Sequence, residues 1–564
     1  MQHFNQYCDA LYKELMAHPL SKSQIAKLKK ELCIQFQLPN IPKDLEVLMT
    51  YSSKQYQQVK HLLMTKPVRS LSGVAPVAIM TEPRWCPHGR CTYCPGGVGS
   101  AFGDVPQSYT GKEPSTMRAI RNHYHGYFQV FNRLEYYMLG GHMPNKVELI
   151  IQGGTFPSYE ITYQEQFVKQ ALSAMNDFGR LFFPQGEFSL ELFKEFFELP
   201  GNRSDKQRTE RIQQKMQALW LVAEQKTLQE IQDENERTII RCVGMTLETR
   251  PDRRLPAQAD TMLRLGATRI ELGIQSVYDD VLQKVHRDHD ATESKHSIAL
   301  LKDMGFKINT HMMPGLPLTD YQRDIESLRT LFDDPAYRPD MLKIYPCMVM
   351  KGTALYNDWK AGRFSPITTQ DATKIIGEMF RFVPRYCRVM RIQRDIPTNV
   401  TEAGVAKTNL RQYVDEYMQQ HGIVSQDIRA REIQNGNIGQ VHYDVETYEA
   451  SGGKEFFFSV NSQDDKLIGF CRMRYPAQCV RSEITPTSAL IRELHVNGTA
   501  LALGGQGNAQ HKGFGKALLA LAEKQALKDG KDKMVIISGI GVREYYKKLG
   551  YHLEGCYMVK MLKK

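Results

Sequence analysis

The chain has no run approaching the ~20 apolar residues that a membrane-spanning helix needs, which argues against an integral membrane protein and against a membrane partner. Its opening residues, MQHFNQYCDALYKELM, hold no basic segment followed by an apolar core, so no secretory signal is read there. Compositional extremes are lacking too. With 42% hydrophobic, 10% aromatic and 24% charged residues over 564 positions, neither wholesale disorder nor a collagen-like chain fits. The 11 cysteines are odd in number and most stand alone: Cys8, Cys33, Cys242, Cys347, Cys387, Cys471, Cys479 and Cys556. Such scatter reads as reduced, buried thiols of a cytoplasmic protein, not a disulfide scaffold. Cys86, Cys91 and Cys94 are the exception, packed within nine residues.

What is present points to several domains. At about 150 residues each, the length predicts three or four, or one large barrel with additions. Lys and Arg exceed Asp and Glu by 73 − 62 = +11, a modest excess that favours a polyanionic partner. Much of it is local: Lys13, Lys22, Lys27, Lys29, Lys30, Lys43, Lys54, Lys60, Lys66 and Arg69 crowd the first 80 residues. Taken alone, that region reads equally well as a solvated helix face.

Residues 1–70 read as short amphipathic helices. Apolar runs then alternate with helical stretches: 73–80, 146–152, 241–248, 267–274, 307–311 and 341–345. Buried runs separated by helices indicate βα units and a parallel sheet, with its chemistry on loops at the strands' C-terminal ends. Residues 181–237, rich in Lys, Arg, Glu and Gln, read as an inserted, exposed helical pair, and 400–450 as a linker. The last 115 or so residues suggest antiparallel strands, a helix from Lys512 to Lys528, a strand, a second helix and a last strand. The fold expected is α/β, with a partial parallel (βα) barrel over 71–399 followed by an α+β domain over 451–564.

Trp85-Cys-Pro-His-Gly-Arg-Cys-Thr-Tyr-Cys-Pro-Gly-Gly97 holds C-x4-C-x2-C. Three thiolates on one tight loop can bind one metal centre. Zinc wants four ligands, and His88 could supply the fourth. A four-iron cluster can instead use three cysteines with an outside ligand on its last iron. The loop's place after the first strand of a parallel barrel resembles the radical S-adenosylmethionine (SAM) superfamily, whose usual spacing is C-x3-C-x2-C.

Further segments narrow the choice. They are Gln107-Ser-Tyr-Thr-Gly-Lys-Glu-Pro114, Gly153-Gly-Thr155, Thr246-Leu-Glu-Thr-Arg-Pro-Asp252, Glu271-Leu-Gly-Ile-Gln-Ser276, His311-Met-Met-Pro-Gly-Leu-Pro317 and Leu342-Lys-Ile-Tyr-Pro346. Together, from about residue 70 onward, they resemble the catalytic third subunit of Elongator, including its stand-alone bacterial and archaeal forms. The resemblance implies a radical-SAM barrel followed by a GNAT domain, with a [4Fe-4S] cluster on Cys86, Cys91 and Cys94 and SAM as cofactors. Glu248 and Gln275, near strand ends, are candidates to hold SAM, and equally candidates for buried polar partners. Glu271, two residues after Arg269, reads as its ion-pair partner.

Gln510-His-Lys-Gly-Phe-Gly-Lys-Ala517 follows a strand and opens a helix, so its N–H groups can seat a pyrophosphate. It resembles the Q-x-x-G-x-G/A pattern with which GNAT acetyltransferases hold coenzyme A, here through Gln510, Lys512 and Gly513. By the same resemblance Glu493, Leu494, His495 and Val496, together with Phe514, Gly515 and Lys516, contact acetyl-CoA, and Lys146 is linked to it. Tyr545 and Tyr546 lie on the helix that carries a thioester-facing tyrosine. Tyr546 is the better candidate, and the other is expected in the core. A linker zinc site seen in relatives has no matching cysteines here, and no zinc is expected.

The resemblance implies 5-carboxymethylation of the wobble uridine of tRNA, with SAM-derived radical chemistry on the acetyl methyl group. It also implies recognition of the anticodon stem-loop and a supply of electrons from a reductant protein. A protein lysine acetyltransferase with a structural barrel and a non-catalytic RNA-binding scaffold are the alternative readings.

Overall fold

The computed structural model describes residues 2–64, 73–201, 205–251, 255–433, 438–498 and 513–563. The chain divides into two compact units, one of Met1–Val77, Gly126–Val147 and Lys169–Cys242, the other of Ala78–His125, Glu148–Val168 and Val243–Lys564.

The first unit is mainly helical. Gln2–Ala17, Lys22–Gln35, Asp44–Thr50 and Ser53–Leu63 are helices, and Ser21 and Ser52 close reciprocal capping boxes with Gln24 and Gln55. Tyr7, Leu11, Val47, Leu48, Tyr56 and Val59 form their buried side, which leaves Lys13, Lys22, Lys27, Lys30 and Lys54 exposed. The stretch read as an exposed helical pair is different. It carries three helices, Leu190–Phe197, Lys206–Ala223 and Leu228–Arg237. Phe193, Phe197, Met216, Trp220 and Ile231 are buried, and Phe197 packs with Phe131, Phe178's neighbour Phe182, and Phe193. The charge-rich composition describes only the outer faces; one apolar stripe per helix is enough to make core.

The second unit holds two sheets. The strands are β1 (Ala75–Met80), a hairpin β2 (Gly97–Ser100) and β3 (Gly103–Val105), then β4 (Lys146–Gln152), β5 (Arg241–Thr249), β6 (Arg269–Gln275), β7 (Lys307–Met312), β8 (Met341–Ile344) and β9 (Arg388–Arg391). Strand order β1-β4-β5-β6-β7-β8-β9, with β5 to β9 paired in parallel, is an open half-barrel. The pleat sorts its residues: Leu247, Ile270, Leu272, Ile308 and Leu342 alternate with Glu248, Glu271, Asn309, His311 and Lys343.

The second sheet runs β10 (Val441–Ala450), β11 (Gly453–Ser462), β12 (Leu467–Tyr475), β13 (Ser488–Val496), β14 (Lys533–Ile536), β16 (Tyr557–Met561), β15 (His552–Glu554). Helix Phe514–Lys528 covers it through Leu518, Leu519 and Ala522. This sheet begins ten residues before the expected boundary. Val441–Ala450, expected as linker, is an edge strand held by its ladder to β11; its apolar alternation stays largely outside the core, with Tyr443 and Val445 exposed. Leu410–Gln420, also within that stretch, is a helix.

Buried charges join the two sheets. Arg492 makes a two-pronged bond to Asp340 (Nη1 to Oδ2, 2.8 Å) and reaches Glu455 at 3.1 Å. Arg474 bridges Asp303 (2.8 Å from Nε) and Glu455 (3.0 Å), and Arg472 donates to Glu493 at 2.9 Å. No helix among the described residues is long and apolar enough to cross a membrane.

Candidate active site

The cysteine loop leaves the C-terminal end of β1, where a parallel sheet presents its chemistry. Cys91 and Cys94 are buried and Cys86 is half-buried. The Ser108 N–H donates to Cys94 Sγ (3.4 Å), and Arg287 Nη1 lies 3.7 Å from Cys91 Sγ. His88 stands between Cys86 (2.9 Å) and Cys91 (3.2 Å), while Cys94 faces Gln107 at 3.3 Å. Among the described residues no three metal-ligating side chains surround a common point. The donor chemistry nevertheless fits an iron–sulfur cluster: three soft thiols, with an amide and a guanidinium placed to favour thiolate. A Cβ on Gly96 would lie 2.3 Å from the Pro106 carbonyl, so only glycine lets the loop fold back this tightly.

Glu248, at the end of β5, is where three of the motifs meet. Tyr109 Oη donates to both of its carboxylate oxygens (3.0 and 3.1 Å), and the N–H groups of Gly153 and Gly154 approach Oε2 at 3.3 and 3.5 Å. Gly153 has φ +137°, and a Cβ there would lie 1.9 Å from Thr81 Oγ1. Gln275 ends β6 with φ +73°. Its Oε1 is buried with no hydrogen-bond partner among the described residues, as are Thr249 Oγ1, Tyr93 Oη and His289 Nδ1. Such orphaned atoms are costly unless a ligand completes them, which fits a polar molecule such as SAM.

Glu271 does more than pair with Arg269, which lies 3.9 Å away and makes its closer bond to Glu148. His311 Nε2 is 3.1 Å from Glu271 Oε2, Lys343 Nζ bonds the same oxygen, and Asn309 Nδ2 donates to Oε1 at 3.3 Å. Burial pushes the Glu271 carboxyl up, but the charge of Lys343 and then the His311 bond outweigh it and hold it well below the usual range. Burial pulls the His311 imidazole below its ordinary value, and Glu271 offsets only part of that. His311 and Lys343 were noted only as motif letters; no spacing in the sequence ties them to Glu271.

In the second sheet the β13–β14 ladder ends at Ile491–Ile536, while the β12–β13 ladder runs on to Val496. Beyond Ile491, β13 no longer pairs with β14, so Leu494, His495 and Val496 lie on a stretch held only by β12. A Cβ on Gly515 would meet Tyr545 Oη at 3.3 Å, Val496 at 3.6 Å and Leu494 at 4.0 Å, so these groups line one space. Gly513 caps the helix in the left-handed region (φ +81°), Lys516 is exposed, and Phe514 packs on the core. Tyr546 is buried in that core against Tyr545 and Tyr551, whereas Tyr545 is partly exposed. His495 stacks on Phe470 at 5.6 Å. Glu493 is committed to Arg472 and to Lys307 at 3.7 Å. Lys146 opens β4 in the other unit, where burial and then Arg241 lower its affinity for a proton. Gln510 and Lys512 lie outside the described residues.

Comparison with known proteins gives this architecture a lineage. The ELP3 N-terminal domain matches residues 4–71, the radical SAM superfamily 83–329, the radical SAM C-terminal domain 339–420 and the GNAT acetyltransferase family 410–551. The chain is 40% identical over 558 residues to a tRNA uridine(34) acetyltransferase of Methanocaldococcus jannaschii, covering 96% of this chain and 95% of that one. The chain belongs to the Elongator complex protein 3 family. Human Elongator complex protein 3 is 35% identical over 575 residues, covering 98% and 96%. The solved archaeal Elp3 of Methanocaldococcus infernus, lacking residues 1–46, superposes with TM-score 0.70 at 36% identity, covering 87% of this chain and all of that one. The likeness therefore extends through the N-terminal helices, further than the motifs from residue 70 onward had carried it. Family membership implies a [4Fe-4S] cluster and SAM in the half-barrel and acetyl-CoA in the GNAT domain.

Proposed function

We propose that this chain forms 5-carboxymethyluridine at the wobble uridine of tRNA from acetyl-CoA by SAM radical chemistry. One observation carries the reading. A radical SAM half-barrel and a GNAT sheet occupy one compact unit of a chain that matches proteins named tRNA uridine(34) acetyltransferase over nearly its whole length. When bound, the cluster and SAM supply a carbon-centred radical able to take a hydrogen atom from the acetyl methyl group.

This chain's residues supply the rest. Cys86, Cys91 and Cys94 hold the cluster. Glu248, oriented by Tyr109, and Gln275, with its unpaired oxygen, hold the polar groups of SAM. Leu494, His495 and Val496 line the thioester cleft, with Tyr545 beside Gly515 and Tyr546 behind it. Gln510, Lys512, Gly513, Phe514, Gly515 and Lys516 seat the pyrophosphate, and Glu493 positions the strand. Exposed lysines of residues 1–70 contact tRNA phosphates. The enzyme works in the cytoplasm with a reductant protein.

The test is anaerobically reconstituted protein with SAM, reductant, acetyl-CoA and unmodified tRNA, followed by nucleoside mass spectrometry. Carboxymethyluridine is expected; acetyl transfer to protein lysines that needs no SAM, with tRNA untouched, would overturn the reading.

A further inference from the structure

One buried group of side chains is not among the residues given to either cofactor above. β6, β7 and β8 lie side by side, and their ladders pair Glu271 with Asn309 and His311 with Lys343. All four side chains meet on the polar face. Glu271 is 1% exposed and fully engaged, while His311 and Lys343 each keep 13% of their side-chain surface accessible, so they form the reachable tip of the group. Just past the ends of the two strands, Met313 and Pro346 line a small pocket together with Tyr93 of the cysteine loop.

The hydrogen-bond roles at that tip follow from Glu271. A carboxylate only accepts, so the His311 nitrogen 3.1 Å away, Nε2, carries the hydrogen. In the neutral imidazole, the form that burial favours, the other nitrogen, Nδ1, is an acceptor. Lys343 has three N–H groups and spends one on Glu271. The tip thus offers a donor beside an acceptor. The Tyr345 ring stands edge-on to His311, centroids 5.3 Å apart, and fixes its plane.

A uracil ring presents the complement: O4 accepts and the adjacent N3–H donates. Cytosine presents the reverse, an amino donor beside an N3 acceptor, and would set donor against donor and lone pair against lone pair. We propose that Lys343 and His311 read the edge of the target uracil, Lys343 Nζ donating to O4 and His311 Nδ1 accepting from N3–H, with Glu271 fixing both. This deepens the reading of the chain as a wobble-uridine enzyme and rests on it. RNA sites that discriminate bases do so on unstacked nucleotides held by such edge contacts, and a buried site built to bond one pattern rejects its inverse.

The test measures equilibrium binding of the full chain to anticodon stem-loops carrying uridine, cytidine or 3-methyluridine at position 34, at one salt concentration. Wild-type protein is expected to bind the uridine form about tenfold or more tighter than either other form. His311→Leu should erase the preference while leaving cytidine-form affinity unchanged, because phosphate contacts persist. His311→Gln, whose amide can still donate to Glu271 and accept from N3–H, should restore most of it. The paired change Glu271→Gln with Lys343→Met removes both charges together, leaves no unpaired ion, and should also erase it. Measurable but equal wild-type affinities for the three stem-loops would overturn the inference alone, and no binding to any would overturn it together with the tRNA reading. A uridine preference that survives His311→Leu, with weakened binding of S-adenosylhomocysteine, would assign the group to the nucleoside cofactor instead and overturn the proposal.

Discussion

Two buried charge clusters lie in the same unit and behave differently. Between the sheets, Asp340 and Glu455 are enclosed by Arg492, Arg474, Arg472 and Lys302, and the three arginines are almost wholly buried. Every carboxylate oxygen there is met by a cation or an N–H: Asp340 Oδ2, for example, takes Arg492 and the Ile308 amide, both at 2.8 Å. The one arginine nitrogen there without a hydrogen bond among the described residues, Arg472 Nη1, still lies 3.7 Å from Asp340 Oδ1. On the polar face of the half-barrel, Glu271 is just as buried, yet the group around it ends in accessible nitrogens, and Gln275 nearby keeps an unpaired oxygen. Burial of charge therefore does not mark a site. A closed network fixes how two sheets sit together, whereas an open one is set to receive something.

That contrast can be broken in steps. The largest effect is expected at the open end of the half-barrel: Cys91→Ser should abolish carboxymethyluridine and prevent full iron and sulfide loading on reconstitution, with an unchanged circular dichroism spectrum. In the closed network, Asp340→Ala leaves Arg492 with Glu455 as its remaining carboxylate partner and should cost about 3–5 kcal/mol in denaturant unfolding. If it costs under about 1 kcal/mol, the network is not what holds the sheets.

Glu493 gives a pH signature. Burial pushes its carboxyl up, but Lys307 and then Arg472 overcome this and hold it down at about 2, against an ordinary 4.5. A depressed carboxyl stabilises the fold above its unfolded value and loses that contribution as the pH falls toward 2. The stability gap between wild type and Glu493→Gln should thus be constant above about pH 5 and close between pH 4.5 and 2, as followed by thermal melts.

Smaller effects separate the tyrosines. Tyr545→Phe should weaken acetyl-CoA binding by about three- to tenfold, since its hydroxyl faces Gly515 and Val496. Tyr546→Phe should act mainly through stability and lower product formation only modestly. An equal loss of acetyl-CoA affinity in both would place both hydroxyls in the cleft.

Much of this was legible in the sequence. The apolar runs at 146–152, 241–248, 307–311 and 341–345 are strands within a residue or two, because parallel strands are buried on both sides and show as short apolar blocks. Less legible were elements whose stability is borrowed. Val441–Ala450 leaves Tyr443 and Val445 exposed and is held by its neighbour strand, and the helices of 190–237 hide one apolar stripe within a charged composition. Cys479, counted among the buried thiols, is exposed.

Pairings across strands were the least legible. Arg269 and Glu271 are two apart on one face and invite a local ion pair, but same-face neighbours along a strand are about 7 Å apart, whereas neighbours across a ladder are about 5 Å apart. Glu271 accordingly pairs with His311 and Lys343, 40 and 72 residues away.

By itself the sequence determined the kinds of chemistry this chain carries: three thiols on one loop, a glycine-rich helix start, and repeated βα units, each a local pattern written in consecutive residues. Only the tertiary structure decided which side chains act together, bringing Tyr109 to Glu248, His311 and Lys343 to Glu271, and Arg492 to Asp340. The reason is that strand order and register, not sequence distance, set which residues stand a few ångströms apart.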